Sequence, residues 1–102
     1  MQKLNNWKEL IIVADKVLKY DPTNVKALFR KALALKNLQE FEDAIALLDK
    51  VFKDLDTNEE FKKKVDEGMV NEFKGLQQST KAAYNAYLKK QKNMYQTMFS
   101  GN

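Results

Sequence analysis

The sequence predicts an all-α protein: a superhelix of helix-turn-helix units followed by a long carboxyl-terminal helix. Three observations favour this fold class. Only three Gly and one Pro occur in 102 residues, too few for a turn-rich β protein. One stretch of the chain matches a later stretch at a constant offset. Apolar side chains recur at helical spacing through roughly the last forty residues, as in an amphipathic helix.

The internal repeat aligns residues 4–17 with residues 38–51. The aligned pairs share size or polarity: Leu4 with Leu38, Trp7 with Phe41, Ile11 with Ile45, Asp15 with Asp49, Lys16 with Lys50, and Val17 with Val51. This offset equals the period of tetratricopeptide repeats, about 34 residues, in which each unit is a helix, a tight turn and a second helix. The period therefore predicts paired helices stacked side by side.

The repeat and its turn residues predict four helices, over residues 6–20, 24–38, 41–55 and 58–98. Pro22 ends the first helix because it cannot continue one, and Thr23 or Asn24 can cap the second. In the second helix, Leu28 takes a large apolar position and Ala32 the small position where two helices approach. The aromatic residues at the large positions are expected to pack between helices: Trp7, Phe41 and Phe52.

The last predicted helix contains two glycines. Gly68 and Gly75 each weaken a helix by up to about 1 kcal/mol relative to Ala, so we expect a bend or break at one of them.

The domain organisation predicted for residues 1–102 is a single domain of about one and a half repeats. Residues 6–20 form the second helix of a truncated repeat, 24–55 a complete repeat and 58–98 a terminal capping helix. Such solenoids usually need about three repeats. We therefore expect either a fragment of a longer protein, or self-association through the face that a missing first helix would cover.

Composition excludes several kinds of chemistry. The chain has no Cys and no His, so disulfides, thiol nucleophiles, the usual zinc sites and histidine catalysis are excluded, and we expect no cofactor or metal. The longest apolar run, Leu10 to Ala14, is far too short to span a membrane, and no signal layout precedes it. A cytoplasmic protein that binds no membrane is expected.

The net charge of +4 comes from one end of the chain. Residues 1–80 carry fourteen basic and fourteen acidic side chains, and residues 81–92 add four lysines and no acid. A neutral body with a short basic tail is a weak signal for nucleic acid, so we expect none to bind. The tail is basic and rich in aromatic residues, which also suits a calmodulin target or a membrane-surface helix. The favoured interpretation is an extension whose Tyr and Leu side chains pack on the last repeat.

The candidate binding site lies on the second predicted helix. Lys26 and Arg30 are four residues apart and share a helix face, where they could hold a carboxylate. The alternative is a pair of ordinary solvated charges. No acid stands four residues from either cation on that helix, which favours binding. Phe29 and Leu33 lie near the same face and are possible contacts for a bound peptide. The alternative is that both side chains pack in the core.

Two segments resemble a known family. The pattern Lys26-x-x-x-Arg30-Lys31-Ala32-x-Ala34-Leu35 resembles the third repeat of carboxylate-clamp tetratricopeptide domains in heat-shock co-chaperones. The ending Met94-Tyr95-Gln96-Thr97-Met98-Phe99 resembles the final helix of immunophilins, the macrolide-binding or cyclophilin-type peptidyl-prolyl isomerases. Some immunophilins are described as binding calmodulin in this region.

The resemblance implies a binding module rather than an enzyme. Lys26 and Arg30 would grip the acidic Met-Glu-Glu-Val-Asp tail of the ninety-kilodalton, or the seventy-kilodalton, heat-shock chaperone. The family's clamp also uses a Lys and two Asn from earlier helices, so this chain holds about half a clamp. The isomerase domain that the family places before its repeats is also absent, and catalysis would belong to a longer parent protein.

Overall fold

Every element of the structure is a helix. The computed structural model describes the backbone of residues 6–100 and the side chains of residues 6–92. The helices are α1 (Trp7–Tyr20), α2 (Val25–Asn37), α3 (Phe41–Thr57), α4 (Glu59–Lys64) and α5 (Glu67–Ser100). No residue from 6 to 100 lies in a strand, so the predicted all-α fold class is confirmed.

Polar side chains begin four of these helices. Each accepts a hydrogen bond from a backbone amide three residues later, which satisfies one of the free amides of a helix start. The caps are Asn6 on Glu9 at 3.2 Å, Asn24 on Ala27 at 2.9 Å, Asn58 on Phe61 at 3.1 Å and Asp66 on Met69 at 2.8 Å. Of the two caps considered for α2, the structure selects Asn24.

The helices stack in chain order around one core. Helix α1 packs on α2, α2 on α3, and α3 on α5, which also reaches α2. The core includes Leu28 and Ala32, and Ala32 is completely buried, as the large and small positions of the repeat predict. Its other buried members are Leu48, Val51, Phe61, Val65, Phe73 and Leu76. Of the aromatic residues expected to pack, Phe41 is buried, whereas Trp7 and Phe52 are half-buried.

The segment predicted as one helix over 58–98 is two helices, and that prediction was wrong. The break falls at Val65 and Asp66 instead of at a glycine. Val65 has extended backbone angles (φ −101°, ψ 111°), and its side chain is only 6% exposed within the core. Asp66 then caps α5, whereas Gly68 and Gly75 both lie inside α5. The break forms at Val65 because its side chain is buried there and Asp66 caps the next helix. The low helix propensity of either glycine is a smaller effect and does not end α5.

The turn between α2 and α3 contains a residue in the left-handed region. Gln39 has φ 65°. This conformation lets the Glu40 amide donate to the Leu35 carbonyl at 2.8 Å and the Gln39 amide to Lys36 at 3.0 Å. These bonds satisfy carbonyls at the end of α2 and turn the chain toward α3.

Candidate functional site

Lys26 and Arg30 lie one turn apart on the exposed face of α2. Both side chains are exposed, and neither forms an ion pair or a side-chain hydrogen bond with any residue from 6 to 92. The two cations are therefore available to a ligand. Arg30 offers a planar pair of donors to a carboxylate, and Lys26 offers a mobile point charge.

Lys31 follows Arg30 in the sequence but has a different role. Its ammonium lies 2.7 Å from the Asp15 carboxylate, which joins α2 to α1. One residue of helix turns the side chain by about 100°, from the open face toward α1. Lys26 and Arg30 thus face solvent, whereas Lys31 joins α2 to α1.

The junction before α2 fixes the start of that helix. The Lys64 ammonium donates to the Thr23 hydroxyl at 2.7 Å and lies 3.7 Å from the Asp21 carboxylate, so α4 holds the junction in place. Asn24 caps α2, and the first turn of α2 has no acidic residue. The partial positive charge of this helix end therefore reinforces the field of Lys26, which lies in the same turn.

Phe29 and Leu33 lie beside the cations and are half-buried. Both pack against the core, and the Phe29 ring contacts buried Phe73 of α5 edge to face, with centroids 5.5 Å apart at 77°. Packing thus accounts for their inner surfaces. Only the remaining exposed edges could touch a ligand held by Lys26 and Arg30.

Two aromatic residues of the basic tail, Tyr84 and Tyr87, pack on α3. The rings of Tyr84 and Tyr87 lie 5.7 and 5.5 Å from that of Phe41. The Tyr84 hydroxyl donates to Glu42 at 2.8 Å, and this bond raises the pKa of Tyr84 above its ordinary value of 10.0. These contacts favour the packing interpretation for the two tyrosines, whereas Leu88, which was also expected to pack, is 44% exposed. The tail's lysines are exposed: Lys81, Lys89, Lys90 and Lys92.

Part of the sequence pattern lies outside the described side chains. The ending Met94-Tyr95-Gln96-Thr97-Met98-Phe99, on which the resemblance to immunophilins partly depends, falls beyond residue 92, and Leu4 of the repeat alignment falls before residue 6.

Sequence reasoning missed a groove between α3 and α5. Its volume is about 760 Å³, and four apolar side chains line it: Phe52, Leu55, Val65 and Val70. Charged residues of both signs also line the groove, among them Asp49 and Lys74. Phe52 was expected from the sequence to pack between helices, but the groove opens beside the break at Val65, which was not predicted. Among the residues that the structure describes, no group of three or more His, Cys, Asp or Glu could hold a metal ion.

Comparison with known proteins identifies the repeat. Residues 13–46 match the sequence model of the tetratricopeptide repeat, a span that runs from within α1 through α2 into α3. Outer envelope protein 61 of Arabidopsis thaliana is 46% identical over 48 residues. That match covers 47% of this chain and 9% of the relative, so the chain corresponds to a small part of that protein. No solved structure matches the chain significantly.

The chain therefore contains a tetratricopeptide repeat. Repeats of this kind are non-enzymatic modules that generally mediate protein–protein interaction. Within the described residues, no helix has both the length and the apolar character that a bilayer crossing requires.

Proposed function

We propose that this chain binds the carboxyl terminus of an acidic peptide through Lys26 and Arg30. One observation carries the proposal: two exposed cations lie on one face of α2, and no described side chain neutralises them. The favoured ligand is the Met-Glu-Glu-Val-Asp tail of a heat-shock chaperone, because a free carboxyl terminus next to acidic side chains presents several carboxylates close together. The chain would then dock an immunophilin-like co-chaperone on that chaperone.

Binding of the peptide requires that Arg30 contact one of its carboxylates and Lys26 a second. A charge-assisted hydrogen bond contributes about 1.5–3 kcal/mol, with exposed groups at the lower end. Two such contacts together give about 3–4 kcal/mol, which corresponds to a dissociation constant of about 1–6 mM. The exposed edges of Phe29 and Leu33 would add an apolar contact with the Val or Met side chain of the tail.

A peptide titration followed by NMR chemical shifts tests the proposal. The intact chain is titrated with the Met-Glu-Glu-Val-Asp peptide as the free acid and as the carboxy-amide. We expect the free-acid peptide to shift the backbone N–H signals of residues around 24–34. The carboxy-amide peptide should bind about ten-fold more weakly because it lacks one carboxylate. Arg30→Ala and Lys26→Ala should each weaken the binding of the free-acid peptide by a similar factor.

Lys50→Ala is the matched control. Lys50 is an exposed lysine on α3, and no ion pair or hydrogen bond ties it to a residue from 6 to 92. Its removal lowers the net charge by the same amount as Lys26→Ala. Equal losses in the two variants would mean that the peptide responds to overall charge, and unchanged affinity in Arg30→Ala would contradict the proposed site.

The wider setting is also part of the proposal. The resemblance to immunophilins supports a parent protein with a peptidyl-prolyl isomerase domain and a cytoplasmic location. The name of the Arabidopsis relative places that protein at an outer envelope, so a membrane-bound parent is the competing setting. The peptide titration tests the binding site in either case.

A further inference from the structure

Helix α1 exposes an apolar stripe that we call the α1 seam: Leu10, Val13, Val17 and Tyr20. These residues are three or four apart and therefore share one helix face. Val13 is 52% exposed, Val17 37% and Tyr20 86%, and Leu10 is half-buried. Among the described elements α1 packs chiefly on α2, which leaves the seam open to solvent.

The internal repeat shows what this face does elsewhere in the chain. In the later stretch of the repeat, Val13 and Val17 correspond to Leu47 and Val51 of α3. Val51 belongs to the core that includes Leu28 of α2, and Leu47 packs against the same core. This face of the repeat is thus built to pack against a helix, and on α1 that position is unfilled by any described residue.

Charged residues beside the seam indicate which helix fits it. Glu9 and Lys16 are seven residues apart and lie on the same flank. Both are exposed, and neither is ion-paired within residues 6–92. A second α1 packed antiparallel about a two-fold axis near Val13 places Glu9 opposite Lys16 of the second copy, twice by symmetry. In a parallel pair this flank would face the opposite flank of the partner, so Glu9 and Lys16 would not meet each other.

We propose that the α1 seam is a self-association surface that takes the α1 of a second copy of this chain in an antiparallel, two-fold contact. Val13 lies at the centre of the contact, and the two Glu9–Lys16 pairs lie at its edge. The surface is separate from the cations of α2, so it does not depend on the proposed peptide binding.

Sedimentation over a range of protein concentrations tests the association. At low salt the mass should rise from 11.9 kDa toward twice that value as concentration increases. Val13→Asp should keep the chain monomeric, and because Val13 is already half exposed, the variant should retain wild-type helicity. A mass that stays at the monomer value throughout, or a dimer unaffected by Val13→Asp, would overturn the proposal.

Charge reversal tests the partner and the orientation. Glu9→Lys or Lys16→Glu alone places like charges opposite each other, so each should weaken association by about ten-fold. An equal mixture of the two variants restores both attractive pairs and should associate like the wild type. The matched control is Lys50→Glu, the equivalent lysine on α3, which should have no effect. Failure of the mixture to associate would overturn the antiparallel contact.

Discussion

Val17 of α1 and Val51 of α3 occupy the same position of the internal repeat, yet Val17 is 37% exposed and Val51 only 2%. The difference comes from their neighbours. Helix α3 packs between α2 and α5, whereas α1 packs chiefly on α2. One side chain in one repeat position thus lies in the core in one helix and at the surface in the other.

This pair gives a stability test with an internal control. Val51→Ala removes two buried carbon atoms and leaves a cavity, so the free energy of unfolding should fall by about 2 kcal/mol. Val17→Ala should cost at most about 0.5 kcal/mol, because the side chain is partly solvated and Ala favours the helix. Urea denaturation of dilute protein measures both. Equal losses would show that the exposed face of α1 is covered in solution.

The repeat predicts most of the fold because it depends on local patterns. The repeat period, Pro22 and the polar residues after it place the first three helices, and packing then buries Leu28 and Ala32 as expected. The break at Val65 depends instead on burial of that side chain by distant helices. Asp66 followed by Glu67 is a helix-start signal that was present in the sequence. The prediction placed the break at Gly68 or Gly75 because glycine has a low helix propensity.

Gly75 offers a stabilising substitution. It lies within α5, and a Cβ built there would meet no atom within 4 Å. Gly75→Ala should therefore raise the free energy of unfolding by up to about 1 kcal/mol, because Ala restricts the unfolded chain and favours the helix. A thermal melt should show a midpoint several degrees higher, at about 4–8 °C per kcal/mol.

Gly68→Ala is the comparison for that substitution. Gly68 lies in the first turn of α5, where a Cβ would sit 3.4 Å from the Asp66 carboxylate oxygen that caps the helix. Helix propensity has less effect near a helix end, so a smaller gain is expected. A loss of stability on Gly75→Ala would show that α5 is not helical at that position in solution.

At Gln39, in contrast to Gly75, replacement by glycine is expected to stabilise the protein. Its φ of 65° places it in the left-handed region, which costs an ordinary L-residue about 1 kcal/mol relative to Gly. Gln39→Gly should stabilise the turn between α2 and α3 by about 0.5–1 kcal/mol. Gln39→Val should destabilise it, since a branched Cβ tolerates this region poorly. Denaturation midpoints of the two variants should therefore move in opposite directions, and a shared direction would contradict the turn geometry.

The candidate site was predictable only in part. The spacing of Lys26 and Arg30, with no acid one turn away, indicated two exposed cations, and the structure describes no partner for either. Nothing in the local pattern indicated that adjacent Lys31 pairs with Asp15, because that contact depends on how α1 crosses α2. Phe29 was ambiguous for the same reason, since its partner Phe73 lies on a helix that is distant along the chain.

Tyr84 should make stability depend on pH in the alkaline range. The Glu42 carboxylate accepts a hydrogen bond from the Tyr84 hydroxyl and so favours the neutral phenol, which raises the pKa of Tyr84 above 10.0. Because the folded pKa is higher than the unfolded pKa, the contribution is fully present below about pH 10 and is lost as pH rises through the folded value. The difference in unfolding free energy between wild type and Tyr84→Phe should therefore shrink above about pH 10.

The tyrosine titration itself identifies the cause. Followed by ultraviolet absorbance, the ionisation of Tyr84, measured as the difference between wild type and Tyr84→Phe, should fall late in the titration, above pH 10.0. Glu42→Gln removes the carboxylate charge and should bring the pKa of Tyr84 down toward 10.0, since the hydrogen bond to Glu42 is the largest cause of the shift. Tyr20→Phe is the control, because Tyr20 is 86% exposed and its loss should leave the late ionisation in place. A late ionisation that survives Glu42→Gln unchanged would contradict Glu42 as the cause of the raised pKa.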